Sequence, residues 1–221
     1  MPARPVDNPK LPPPELAARV AFTVSSTEAE GPGRRFALWV QGCSLGCPGC
    51  CNPELWSTDG APARTVSELE QEILGAAAAP SPIEGISLLG GEPLEQDAPL
   101  AELARRVRAR GLTVMLYTGY TLDEAAERGS TLVSECDLVV AGRFEQALRT
   151  TGRRWIGSTN QTLHFLSDAY APDDPRFQEP NHAELKLSSE GLLTVVGFPF
   201  DSIRRAFPKR LDHFESGATE V

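Results

Sequence analysis

The stretch Gly42-Cys43-Ser44-Leu45-Gly46-Cys47-Pro48-Gly49-Cys50-Cys51-Asn52-Pro53 constrains this chain more than any other, because four of its five cysteines fall inside it. Three of them read as Cys-x3-Cys-x2-Cys: Cys43, Cys47 and Cys50. Three thiolates on one tight loop can hold three irons of a cubane iron–sulfur cluster and leave the fourth iron open. The glycines and proline between them keep bulk away, so the backbone can wrap closely around an inorganic core. A structural zinc site asks instead for four closed cysteine or histidine ligands, commonly as two separated pairs. No second pair exists here, and His164, His182 and His213 lie far downstream. Cys51 offers a fourth thiolate, but adjacent cysteines are poorly placed to share one tetrahedral ion. The ligand count favours the open-site cluster.

The rest of the chain frames that loop. Its length of 221 residues allows one domain with an appendage. A formal net charge of −9 argues against a nucleic-acid surface. An odd number of clustered cysteines does not read as a secreted disulfide framework. The start, Met1-Pro2-Ala3-Arg4-Pro5, lacks a signal peptide's apolar core, and no apolar run approaches a membrane span. The expectation is a cytoplasmic protein with no membrane contact.

Residues 1–28 read as an extended N-terminal arm, with Pro2, Pro5, Pro9, Pro12, Pro13 and Pro14 resisting helix and sheet. Phe36 to Val40 has the length of a buried strand and runs straight into the cysteine loop. Thr65 to Glu68 fits a capping box, with Val66, Leu69 and Ile73 on one face of the helix that follows. A second strand, Gly85 to Leu89, ends in Gly90-Gly91-Glu92-Pro93. Paired glycines let a ligand approach the backbone, and a neighbouring carboxylate can accept hydrogen bonds from an ammonium group. Leu100, Leu103 and Val107 mark a helix that Gly111 ends, and Leu112 to Tyr117 is a third strand opening into Thr118-Gly119-Tyr120. Thr121 caps a short helix closed by Gly129, Leu138 to Val140 is a fourth strand, and Cys136 reads as a small core residue. This alternation implies an α/β fold with a parallel sheet. Functional loops on several strand ends favour a partial (β/α) barrel over an open doubly wound sheet.

The cysteine spacing followed by Gly90-Gly91-Glu92-Pro93 resembles the radical S-adenosylmethionine (SAM) superfamily. More narrowly, Gly31 to Arg35, Gly42 to Trp56, Gly85 to Leu94, Thr118 to Glu124, Gly142 to Phe144 and Trp155 to Gln161 resemble, in order, the activating proteins of anaerobic (class III) ribonucleoside-triphosphate reductase. The resemblance implies a radical SAM domain over 29–166. Cys43, Cys47 and Cys50 would ligate a [4Fe–4S] cluster, whose open iron binds the amino and carboxylate groups of SAM. Gly90, Gly91 and Glu92 would grip the methionine end. Gly49 and Cys51 would line the same pocket, with Thr118, Ser158 and Asn160 completing the SAM-binding set. The implied activity is reductive cleavage of SAM and generation of a glycyl radical on a partner, an anaerobic ribonucleotide reductase. The electron would come from a donor such as flavodoxin or ferredoxin. A free-standing radical SAM enzyme acting on a peptide or small molecule is the alternative.

The chain departs from that family's pattern in places. Cys51 stands where tyrosine is usual, Glu92 where aspartate is usual and Ala141 where aspartate is usual. The extension 167–221 has no place in a minimal member. Its first part, Ser167 to Asn181, reads as a polar linker with Pro172, Pro175 and Pro180. Glu184 to Leu187 and Leu192 to Val196 read as a β-hairpin that either pads a barrel edge or serves as a docking or substrate-selecting element, and Asp201 or Ser202 as the cap of a short final helix.

Overall fold

The apolar run ahead of the cysteine loop forms β2 (Arg35–Val40), in which every residue is buried. In the computed structural model, which describes residues 15–187, 191 and 193–198, β2 is one of four parallel neighbours. The others are β4 (Gly85–Gly90), β5 (Thr113–Thr118) and β6 (Leu138–Ala141). Three further strands complete a seven-stranded sheet: β1 (Ala17–Thr27), β3 (Ala63–Thr65) and β7 (Thr162–Phe165). The order is β3-β1-β2-β4-β5-β6-β7, with β1 antiparallel to β2 and to β3, and β7 antiparallel to β6. The α/β reading holds, but the sheet is mixed where alternation alone implied parallel strands. Val40 pairs with Gly90 and Thr118 with Ala141, so the carboxyl ends of the four parallel strands stand in one row.

The arm expected over 1–28 needs correcting in its described part. Residues 1–14 lie outside the described residues, whereas Ala17–Thr27 is a full strand inside the sheet. Val20, Phe22 and Val24 recur at every second position, a strand signal in sequence, although a bulge after Val20 leaves Val20 in the helix-side core and Phe22 and Val24 on the opposite face. The prolines ahead of them masked that signal.

Helices cover one face. Thr65 closes a capping box with Glu68 at the start of α1 (Val66–Ala77), and Val66, Leu69 and Ile73 point inward. A cap of this kind is worth about 1 kcal/mol. In α2 (Asp97–Arg108), Leu100, Leu103, Ala104 and Val107 are buried. A second capping box, Thr121 with Glu124, opens the short α3 (Leu122–Glu127). These helices pack on Phe36, Leu38, Val40, Ile86, Leu88, Val114, Leu116 and Val139, one side of each parallel strand, with Cys136 in the same core. No helix among the described residues is long and apolar enough to cross a membrane.

The opposite face is covered by chain that comes after it in sequence. Met115, Leu138 and Val140 meet Trp155, Ile156 and Phe177. The stretch read as a polar linker therefore carries an anchor: the Phe177 ring packs edge-on against Trp155 at 5.2 Å and Phe165 at 5.0 Å. Trp155 has φ of 60°, unusual for a bulky residue, and Asn181 fixes its neighbourhood by accepting from Trp155 N and donating to Ile156 O. The expected hairpin forms from β8 (Ala183–Leu187) and β9 (Leu193–Gly197), with most of its turn outside the described residues. It is a separate two-stranded sheet and does not extend the edge of the large one. It covers the face instead: Val196 is buried among Ala37, Trp39, Leu55 and Leu89. The cap proposed at Asp201 or Ser202 lies outside the described residues.

Two charged residues are buried on this second face. Arg35 is fully enclosed, and its guanidinium donates to Ser87 Oγ, Thr113 Oγ1, Tyr170 OH and the carbonyls of Pro32 and Ile86. Glu30 accepts from the N–H of Gly197 at 2.8 Å, and burial pushes its carboxyl up to about 8. The folded state therefore binds this proton more tightly than the unfolded chain, whose carboxyl titrates near 4.5. Its contribution is intact below that value and is lost as pH rises towards about 8. Denaturant unfolding at pH 5, 6.5 and 8 should show stability falling with pH, and Glu30→Gln should flatten part of that slope. An unaltered slope in the variant would remove Glu30 as a source.

Candidate iron–sulfur and SAM site

The cysteine loop begins where β2 ends and is tied at its base. Gly42 N donates to Leu55 O at 2.9 Å and Cys43 N to Trp56 O at 3.0 Å, so the turn after the loop returns to its start. Cys43, Cys47, Cys50 and Cys51 are all half-buried thiols. Burial raises the Cys43 and Cys47 thiols above their ordinary value. Backbone N–H groups pull the other way, from Leu45 and Gly46 on Cys43 and from Phe144 on Cys47. Cys50 Sγ accepts from Asn52 N at 3.3 Å. Amide donors aimed at sulfur stabilise thiolates and tune the potential of a cluster they ligate. Among the described residues no three His, Cys, Asp or Glu side chains converge on a point one metal ion could occupy. A cubane asks for something else, one thiolate on each of three separate irons.

The second loop is bonded to the first. Gly91 N donates to Val40 O at 2.7 Å and Glu92 N to Gly42 O at 2.8 Å. A Cβ on Gly91 would lie 2.2 Å from Gly42 O, so no other residue permits this approach. The Glu92 carboxylate, 1% exposed, is fully engaged. Oε1 accepts from Leu94 N at 2.9 Å and Thr118 Oγ1 at 2.7 Å, and Oε2 accepts from Gly119 N at 2.8 Å. Burial nevertheless pushes its carboxyl up to about 7, with those three donors opposing the rise. Glu92 thus joins the loops after β4 and β5, and Thr118, which also accepts from Tyr120 N, belongs to the same junction.

Ser158 and Asn160 stand one layer away, holding the loop after β6. Ser158 Oγ accepts from Glu145 N at 3.1 Å, and Asn160 Nδ2 donates to Arg143 O at 2.8 Å. Asn160 Oδ1 is buried without a hydrogen-bond partner. The loop they secure carries Phe144, whose N–H faces Cys47, and Gln146, whose side chain fills the space a Cβ on Gly49 would need. Sequence reasoning missed several supports. Gln161 accepts from Gly157 N and Ser158 N and donates to Gly142 O, which makes it the tie of this loop. It ends the Trp155–Gln161 motif, so its signal was present. Glu95 accepts from Ser44 N at 3.0 Å, and the Tyr120 ring lies 4.4 Å from the Arg128 guanidinium and 5.5 Å from that of Arg143.

A family model described as a 4Fe-4S single cluster domain matches residues 29–164. The anaerobic ribonucleoside-triphosphate reductase-activating protein of Escherichia coli K12 is 36% identical over 140 residues, covering 62% of this chain and 91% of that protein. The protein of that name from Salmonella typhi is 37% identical over 142 residues, with 62% and 91% covered. The one from enterobacteria phage T4 is 31% identical over 142 residues, with 62% and 88% covered. The half-buried cysteine loop, the glycine seam bonded to it and these matches together make the chain a member of the anaerobic ribonucleoside-triphosphate reductase-activating protein family, built on a single-cluster 4Fe–4S domain.

Proposed function

We propose that this protein is a radical SAM activase that generates a glycyl radical on an anaerobic ribonucleotide reductase. The donor set fits the cofactors: three half-buried thiols on a glycine loop, amide N–H groups aimed at sulfur, and a second loop bonded to the first. Cys43, Cys47 and Cys50 would hold the [4Fe–4S] cluster. When bound, the cluster would supply the one electron for reductive cleavage of SAM, the radical chemistry that would be directed at a glycine of the partner. The protein's share is placement and exclusion of water.

In this reading Gly90 and Gly91, packed closely on Trp39, Val40 and Gly42, set the course of the backbone that would meet the methionine end of SAM. Glu92 fixes that backbone against Thr118 and Gly119. Ser158 and Asn160 set the far wall through the Arg143–Glu145 loop, with Asn160 Oδ1 still able to accept a hydrogen bond. Cys51 and Gly49 line the near wall. The parallel strands β2, β4, β5 and β6 would form the partial (β/α) barrel, and β1 would extend the radical SAM unit back from residue 29. The electron donor would be flavodoxin or ferredoxin, and the cytoplasm would keep the thiols reduced.

The observation that carries the proposal is the seam at Gly42, where the cysteine loop and the Gly90–Glu92 loop share backbone hydrogen bonds. The test is anaerobic: reconstituted protein, SAM, a reductant and a candidate class III reductase in one tube. A glycyl-radical doublet in the electron paramagnetic resonance spectrum, matched by 5′-deoxyadenosine, is the expected result. Deoxyadenosine without a doublet would overturn the partner and favour a free-standing enzyme. Neither signal from cluster-loaded protein would overturn the chemistry.

A further inference from the structure

Charges of both signs act on the cysteine loop, and they are placed on different cysteines. The carboxylates of Glu92 and Glu95 act through space on Cys43 and disfavour negative charge there. Glu95 is held against the loop, accepting from both Ser44 N and Ser44 Oγ. Opposing them, the Arg143 guanidinium acts on Cys47 and favours negative charge on its sulfur. The chain as a whole carries a formal net charge of −9, so this local cation runs against the background.

Arg143 is fixed from several directions. Its Nη1 donates to both carboxylate oxygens of Glu124 at 2.9 Å. Glu124 is itself anchored, because its Oε2 accepts from Thr121 N in the capping box that opens α3. The guanidinium lies 5.5 Å from the centre of the Tyr120 ring. The hydroxyl of that tyrosine is 3.5 Å from Glu95 Oε1, the oxygen that accepts from Ser44, so the ring links Arg143 back to the cysteine loop. The backbone is held as well: Arg143 O accepts from Asn160 Nδ2, and the next residue, Phe144, presents its N–H to Cys47. An unrestrained arginine would spread its charge over many rotamers. Here the charge has one position, although 43% of the side chain still meets solvent. As a stabilising contact, an exposed ion pair of this kind contributes little. Its field at the cysteine loop is the larger consequence.

We propose that Arg143 is a positioning residue for charge: held by Glu124 and Tyr120 beside Cys47, it raises the reduction potential of the cluster site and so eases entry of the electron that SAM cleavage requires. This rests on the iron–sulfur reading above. Reduction adds one electron, from a one-electron donor, with no proton taken up and no ligand lost, so the site becomes one unit more negative. A fixed cation close to a ligating sulfur favours that form, and the neighbouring carboxylates oppose it. Glu124 sets how much of the effect is felt, because its own charge cancels part of the Arg143 field. Salt screens what remains at the exposed portion of the pair.

The experiment is a redox titration of the full chain, reconstituted anaerobically and kept free of SAM, with the reduced fraction read by electron paramagnetic resonance. At a fixed applied potential, Arg143→Gln should lower the ratio of reduced to oxidised cluster roughly tenfold, a shift of about 59 mV for a one-electron couple. Arg143→Lys keeps the charge and should keep most of the native potential. Glu124→Gln removes the opposing charge and should shift the potential the other way, by less. All three differences from native should shrink as ionic strength rises. A native potential in Arg143→Gln, or equal falls in the Gln and Lys variants, would overturn the proposal. So would a shift that appears only once SAM is added, which would make Arg143 a SAM contact instead. Should Arg143→Gln fail to hold its cluster, the sign of the Glu124→Gln shift decides. Native protein that takes up no four-iron cluster would sink the iron–sulfur reading itself, a result separate from any comparison among the variants.

Discussion

Cys47→Ala is expected to strip reconstituted protein of its visible iron–sulfur absorption and reduce SAM cleavage to background. The two remaining thiols of the motif, Cys43 and Cys50, leave a second iron without a protein ligand. Cys51, which follows Cys50 directly and lies outside the Cys47 turn, is expected to fill space rather than to replace the lost ligand. The amide of Phe144, which faces the Cys47 sulfur, loses its acceptor at the same time. Iron analysis and absorption spectra on anaerobically reconstituted protein measure the first effect, and 5′-deoxyadenosine the second. The companion Cys51→Ala should keep both iron and cleavage. Full iron in the Cys47 variant, or its loss in the Cys51 variant, would redraw the ligand set.

Glu92→Ala should damage both the fold and SAM binding while leaving the cysteine loop able to load iron. The substitution strands three donors, Leu94 N, Thr118 Oγ1 and Gly119 N. A buried donor left unmatched costs about 1–3 kcal/mol. Even one such loss is a sizeable part of the roughly 5–15 kcal/mol that separates folded from unfolded domains. Glu92→Gln keeps one oxygen and should fall between Ala and the native residue. Denaturant melts report the stability, and calorimetric titration of cluster-loaded protein reports SAM affinity. Native stability in the Ala variant would dismiss the clamp, and native SAM affinity would dismiss the site.

The central elements were legible because each carried its own local chemistry. Phe36–Val40 announced a buried strand, Thr65 and Thr121 announced helix starts, and three cysteines announced a cluster. Where signals overlapped, reading failed. The alternation at Val20, Phe22 and Val24 was present, but six prolines ahead of it suggested an arm. The short strands β3 and β7 hold too few residues to establish a period. Glu92 shows a different limit. A carboxylate beside two glycines reads as a ligand-binding group, and nothing local says that its oxygens meet Thr118 and Gly119. That junction arises from the parallel register of β4 and β5, a long-range property that no window of sequence contains. Phe177 was hidden likewise, one aromatic in a polar acidic stretch whose partners Trp155 and Phe165 lie earlier in the chain.

The sheet's second face also has a consequence for biosynthesis. Glu30 and Gly197, joined by one hydrogen bond, are 167 residues apart in the chain. A ribosome emitting this protein releases Trp39 and Leu89 long before Val196 exists to shield them. At ordinary elongation rates of about 5–20 residues per second, that apolar surface stays without this cover for roughly 5–30 seconds. Contacts of such long sequence separation also slow the final folding step. Yield in expression hosts should therefore respond to trigger-type chaperones more than to any helix-stabilising change, since the late-arriving cover sets the exposure time.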